Sequence, residues 1–225
     1  MTKVNRSVLL EDGVRQAARA AGHGRLLMSD EDLARSLEST LAQHDRSRPV
    51  WIFAYGSLIW NPMLDVAEAR RARIFGYHRG FYLWSKINRG TPAAPGLVLG
   101  LDRGGSCDGI AYRLHRDTCA SELALLWRRE MIMGTYTPRW VRAHRGGDAI
   151  PAIAFVVNRG KDDYAGRLSD DQIVTTALHS HGHYGSCADY LLQTAQSLHE
   201  HGITDTRLAR LAERVRQHRA LPSTR

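Results

Sequence analysis

The sequence predicts an α+β protein built on a mainly non-parallel sheet or barrel. Three observations predict it. Strand-like segments bounded by glycine and proline crowd residues 50–157, and most helix-like segments come after them. The βα alternation of a doubly wound fold is missing. So are the GxGxxG and GxxxxGK[ST] fingerprints of nucleotide-binding sheets.

The elements follow in order. Residues 1–48 read as a helical N-terminal extension. Residues 8–21 suit one helix. Ser29-Asp30-Glu31-Asp32 starts another, with acids in its first turn and Leu33, Leu37 and Leu41 on one face. Residues 45–49 are a polar linker ending in Pro49. The run from Val50 to Tyr55 is apolar and stops at Gly56-Ser57, so it reads as a buried strand entering a tight loop. Residues 73–84 hold two strand-like pieces around Gly80. Residues 90–96, with Pro92 and Pro95, form a loop before a strand at 96–101. Arg103-Gly104-Gly105-Ser106 reads as a turn and 107–114 as the next strand. Residues 117–133 are helical, 140–144 and 150–157 are strands, and 169–179, 186–199 and 205–217 are helices. The last carries Leu208, Leu211, Ala212 and Val215 on one side.

The chain has 225 residues, 43% hydrophobic and 24% charged. A chain of this length buries about 70% of its unfolded surface, so it needs no disulfide or metal staple. The composition excludes a disordered tail, a coiled coil and a collagen-like rod. No run approaches the roughly 20 apolar residues of a membrane span. Glu11 and Asp12 interrupt any signal-like core early. Cys107, Cys119 and Cys187 are odd in number, scattered and without a CxxC. A cytoplasmic protein with reduced thiols is expected. The net charge of +8 invites nucleic acid or an acidic small molecule. Arginines are spread along the chain with no block of five, which argues against nucleic acid. The densest spots are Arg70-Arg71-Ala72-Arg73 and the set Arg207, Arg210, Arg214, Arg216 and Arg219.

Glu130 is the most informative candidate. At 100° per residue it falls among Cys119, Leu123, Leu126 and Trp127, while Glu122, Arg128 and Arg129 lie off that stripe. A desolvated carboxylate has a raised pKa, which suits general acid–base work near neutral pH. A buried Glu paired with an arginine, or a helix rotated to expose it, stays open beside that reading. Tyr55-Gly56-Ser57-Leu58 follows a strand. A glycine there lets backbone N–H groups converge on an oxyanion, and a plain strand-to-loop turn fits as well. Ser57 lacks the GxSxG elbow and any visible triad. His179, His181 and His183 have i, i+2 spacing in what reads as a frayed helix end. A solvated turn fits them better than a metal site. No metal or other cofactor is expected.

These stretches compose a larger pattern. Residues 53–62 read FAYGSLIWNP, and GYHR follows at 76–79. RGTP at 89–92 leads to PGLVLGL at 95–101, then GIAYRL at 109–114. Arg129-Glu130-Met131 is followed by Gly134-Thr135-Tyr136. In this order, over about residues 50–200, the set resembles the ChaC family of glutathione-specific γ-glutamylcyclotransferases. Ala54 departs from it, standing where the family commonly has glycine. The resemblance implies a mixed β-barrel-like sheet core flanked by helices, with a catalytic domain at 49–219. It implies that Tyr55, Gly56, Ser57 and Leu58 hold the γ-glutamyl group. Glu130 is then the proton acceptor, and Tyr136 and Tyr190 are further substrate contacts. The implied substrate is glutathione, a small anionic molecule, with no nucleic acid or membrane partner. The reaction it implies needs no protein nucleophile, because the glutamyl α-amine attacks its own γ-carbonyl and releases 5-oxoproline and Cys-Gly. Two alternatives stand beside this: a cyclotransferase for other γ-glutamyl amines or amino acids, and a non-catalytic regulatory or binding module on the same fold. A carboxylate retained at Glu130 speaks against the second. All the motifs lie beyond Pro49, so residues 1–48 are expected to be dispensable for chemistry.

Overall fold

The computed structural model describes residues 5–42 and 44–220. Its centre is a closed five-stranded barrel: β1 (Trp51–Ala54), β2 (Val66–Ser85), β3 (Gly96–Leu114), β4 (Tyr136–Arg145) and β5 (Asp148–Val157), in the order β1-β3-β2-β4-β5. Neighbours pair antiparallel except where β5 closes onto β1 and β3, which is parallel. Closure leaves no long free edge to pair with another chain.

Strand alternation explains why every residue of β1 is buried. Trp51 and Phe53 face the barrel interior with Ile74, Leu101, Ala111 and Ala154. Ile52 and Ala54 face outward, into a larger core shared with the helices. Around the barrel lie α4 (Ser57–Trp60), α5 (Cys119–Glu130), α6 (Asp170–His179), α7 (Cys187–Glu200) and α8 (Thr206–Ala220). Ser169 caps α6 in a reciprocal box with Gln172, and Ser186 caps α7.

The structure departs from the sequence reading in three places. Residues 103–106 are not a chain reversal. Gly104 and Gly105, both at positive φ, stand opposite the single Gly76 and form a bulge inside a continuous β3. The same glycine chemistry serves a turn or a bulge, and only the pairing partner decides which. Second, residues 66–72 are the first part of β2. Ala72 and Ile74 point inward while Arg71 and Arg73 point to solvent, so the basic spot is the outer face of a strand. Third, residues 8–21 are two helices, α1 (Arg6–Leu10) and α2 (Gly13–Ala20), broken at Asp12 with φ 61°.

The extension is packed into the fold. In α3 (Asp30–Leu41), Leu33 joins the main core, Ser36 accepts from the Trp127 indole at 3.2 Å, and the Thr40 carbonyl accepts from Trp140 at 2.8 Å. No helix among the described residues is long and apolar enough to cross a membrane.

Candidate active site

Glu130 is the last residue of α5, a helix buried on almost every side by Leu123, Leu125, Leu126 and Trp127. Its side chain is 13% exposed and lines a cavity of about 350 Å³. Burial raises its pKa. Arg129, with Nε 2.9 Å from the carboxylate, opposes that rise, and burial prevails. Glu122, assigned to the polar side, is also buried at 1% exposure. There α1 covers the helix, Arg6 pairs with the carboxylate at 2.5 Å and the Asp65 N–H donates to it. Arg129 is likewise only 11% exposed.

The loop after β1 is fixed from two sides. The Arg79 guanidinium pairs with Asp205 at 2.9 Å and donates to the Tyr55 carbonyl at 2.9 Å. Arg129 donates to the Asn61 carbonyl at 2.5 Å and to the Ser57 hydroxyl at 3.1 Å. One arginine therefore touches both the candidate base and the loop. Of Tyr55, Gly56, Ser57 and Leu58, Ser57 lines the cavity, and the other three are buried behind it. The Tyr55 hydroxyl donates to the Phe155 carbonyl at 2.7 Å.

Tyr136 and Tyr190 meet at one peptide. The Tyr136 hydroxyl donates to the Leu99 carbonyl at 3.0 Å, and the Tyr190 hydroxyl accepts from the Leu99 N–H at 3.1 Å. Both rings line the cavity with Glu130. Burial and the Glu130 charge hold the Tyr136 phenol well above its ordinary range, and burial pushes Tyr190 up to about 12. These phenols stay protonated and serve as hydrogen-bonding walls.

Arg89 carried no role in the sequence reading. Its guanidinium lies 5.3 Å from the Tyr190 ring centre and 5.9 Å from that of Trp60, and donates to the Tyr184 carbonyl at 2.7 Å. Burial draws its pKa down. It is a cavity cation without a carboxylate inside 4 Å among the described residues, whereas Lys86 pairs with Asp163 at 2.7 Å. An RGTP motif gives no sign of this, because the aromatic partners come from α4 and α7. The histidine segment helps to place it. His181–Gly182 and Gly185–Ser186 form a two-residue hairpin, and the His183 and Tyr184 N–H groups donate to the Ile87 and Asn88 carbonyls. His179, His181 and His183 themselves are exposed. Cys187 is packed against the Leu97 backbone, and burial pushes its thiol up to about 11, as it does for Cys107. Val14, Ala18 and His23, from the extension, line the same cavity.

A closed mixed barrel with a buried carboxylate and two tyrosines at its rim marks a class. The fold is that of a γ-glutamyl cyclotransferase specific to glutathione from yeast, whose crystal structure superposes with TM-score 0.68 at 23% identity. The match covers 76% of this chain and 97% of that one. The sequence pattern of the ChaC-like protein family matches residues 50–218, and this chain belongs to that family. The glutathione-specific γ-glutamylcyclotransferase of Escherichia coli K12 is 39% identical over 193 residues, 85% of this chain and 84% of that protein. Human glutathione-specific γ-glutamylcyclotransferase 1 is 30% identical, over 74% of this chain and 78% of its own.

Proposed function

We propose that this protein is a glutathione-specific γ-glutamylcyclotransferase that converts glutathione into 5-oxoproline and Cys-Gly. The observation that carries the reading is Glu130, a carboxylate with a raised pKa on the wall of a closed cavity. The relatives named above support the substrate. The catalytic unit is residues 49–219.

The chemistry follows from the walls. The γ-glutamyl chain folds back so that its α-nitrogen meets its own γ-carbonyl, and a tight cavity holds that near-attack shape. Arg89, the unpaired cation, takes the α-carboxylate. Glu130 accepts a proton from the attacking nitrogen. The new C–N bond closes the five-membered lactam, the old amide C–N bond breaks, and Glu130 returns the proton to the departing cysteinyl nitrogen. The first N–H groups of a helix have no intrahelical acceptor, so those of Ser57 and Leu58 in α4 are available to the developing oxyanion. Ser57 is a binding group in this scheme and not a nucleophile. Tyr136 and Tyr190 shape the pocket around the glutamyl chain.

The partner is a small molecule. The C-terminal arginines are largely engaged: Arg207 and Arg210 pair with Asp170, Arg214 with Asp171 and Arg219 with Asp189. That leaves little free charge for a phosphate backbone. The cytoplasm keeps its three unpaired cysteines reduced.

The test is to incubate the purified protein with glutathione and quantify 5-oxoproline and Cys-Gly, before and after dialysis against EDTA. Equal amounts of both products, unchanged by dialysis, are expected. No product from glutathione alongside turnover of another γ-glutamyl amine would transfer the reading to that substrate.

A further inference from the structure

We propose that His23, on the N-terminal extension, is a specificity-determining residue that hydrogen-bonds the C-terminal glycyl carboxylate of the substrate. This rests on the function proposed above. Four observations lead to it.

His23 lines the cavity that holds Glu130, and its Nε2 is buried without a hydrogen-bond partner among the described residues. Buried ring nitrogens are rarely left so, and one that lines a ligand cavity points to the ligand. The position is built by the surrounding chain. The His23 N–H donates to the Ala18 carbonyl at 2.9 Å. Arg15 clamps the segment by donating to the Met28 carbonyl at 3.0 Å and to Asp30 at 2.7 Å. The Met28 N–H donates to the Ile132 carbonyl at 2.8 Å, tying this segment to the residues just after Glu130.

The division of labour gives the ligand group. Every residue assigned to the cyclising glutamyl end lies beyond Ala54. The extension supplies the remaining wall through Val14, Ala18 and His23, so it faces the part of the substrate that does not react. In glutathione that part is Cys-Gly, whose one charged group is the glycyl carboxylate. A neutral or protonated imidazole donates to it through Nε2. Arg129 and Lys86 are already paired, and Arg89 stands against Tyr190 at the reacting end.

The experiment uses the full chain and calorimetric titration with two ligands, glutathione and γ-glutamylcysteine, which lacks the glycyl group. His23→Phe keeps the ring and removes the nitrogen, and His23→Gln restores a donor at similar reach. Losing one charge-assisted hydrogen bond corresponds to about tenfold in Kd. Glutathione should therefore bind His23→Phe about tenfold more weakly, γ-glutamylcysteine should bind it as it binds wild type, and His23→Gln should recover the affinity. Equal affinities in wild type and His23→Phe would overturn the assignment, as would equal weakening for both ligands. Failure of both variants to fold would assign His23 to packing and overturn it too. The two readings separate cleanly. The expected binding pattern with no 5-oxoproline formed would sink the proposed function and leave His23 standing. Normal 5-oxoproline formation with unchanged glutathione affinity in His23→Phe would do the reverse.

Discussion

At the scale of single residues, Glu130 carries the proton. Glu130→Gln keeps size and hydrogen-bonding reach but cannot accept and return a proton. Turnover should fall by about 10²–10⁴-fold with glutathione affinity near wild type. A stable variant with normal kcat would send the search for the base elsewhere. The pH profile gives a second handle. Burial raises the Glu130 pKa and Arg129 lowers it. The base must be deprotonated, so kcat/KM should rise with pH through that raised value. Removing the opposing charge in Arg129→Gln raises the pKa further, and the acid limb should move to higher pH. An unmoved limb would detach it from Glu130. The stripe of Leu123, Leu126 and Trp127 made Glu130 legible in sequence. Arg129, one residue on, was read as outward because helical periodicity assumes a solvent face, and α5 has almost none.

Among elements, β1 and β3 decide where the loop sits. A Cβ on Gly109 would lie 2.3 Å from the Ala54 carbonyl oxygen and 2.6 Å from the Phe53 ring. Backbone and a fully buried ring cannot yield cheaply. Gly109→Ala should cost about 1–3 kcal/mol as overpacking, read as a drop of roughly 2–12 °C in Tm. Ala54 leads directly into Tyr55, Gly56 and Ser57, so turnover measured below the melt should fall as well. An unchanged Tm would show that β1 relaxes without effort. The helices after residue 168 are read from sequence almost to the residue, because capping serines and a one-sided apolar stripe are local signals. The two long strands are not. Gly80 and Gly104-Gly105 look like breaks in one dimension and are paired or bulged in three.

For the whole molecule, the extension is part of the folded unit. Deleting residues 1–48 removes two buried leucines, Leu9 and Leu33, each contributing about 1.5–3 kcal/mol. It also uncovers Trp127 and opens the cavity on the side of Val14, Ala18 and His23. The truncated protein should melt at least about 6 °C lower. Where it remains folded, its KM for glutathione should rise more than its kcat falls. An unaltered KM would return residues 1–48 to the dispensable role that their position before the motifs suggests.

The sequence by itself determined the fold class, the helices of the second half, the candidate base and the family, since periodicity, caps and ordered motifs are written along the chain. Tertiary structure alone decided that two strands run unbroken through their glycines and that Arg129 joins the base to the loop. It alone brought Arg89 and His23 to the cavity. Each of those depends on partners far away in sequence, and local pattern holds no record of which distant backbone or ring a side chain will meet.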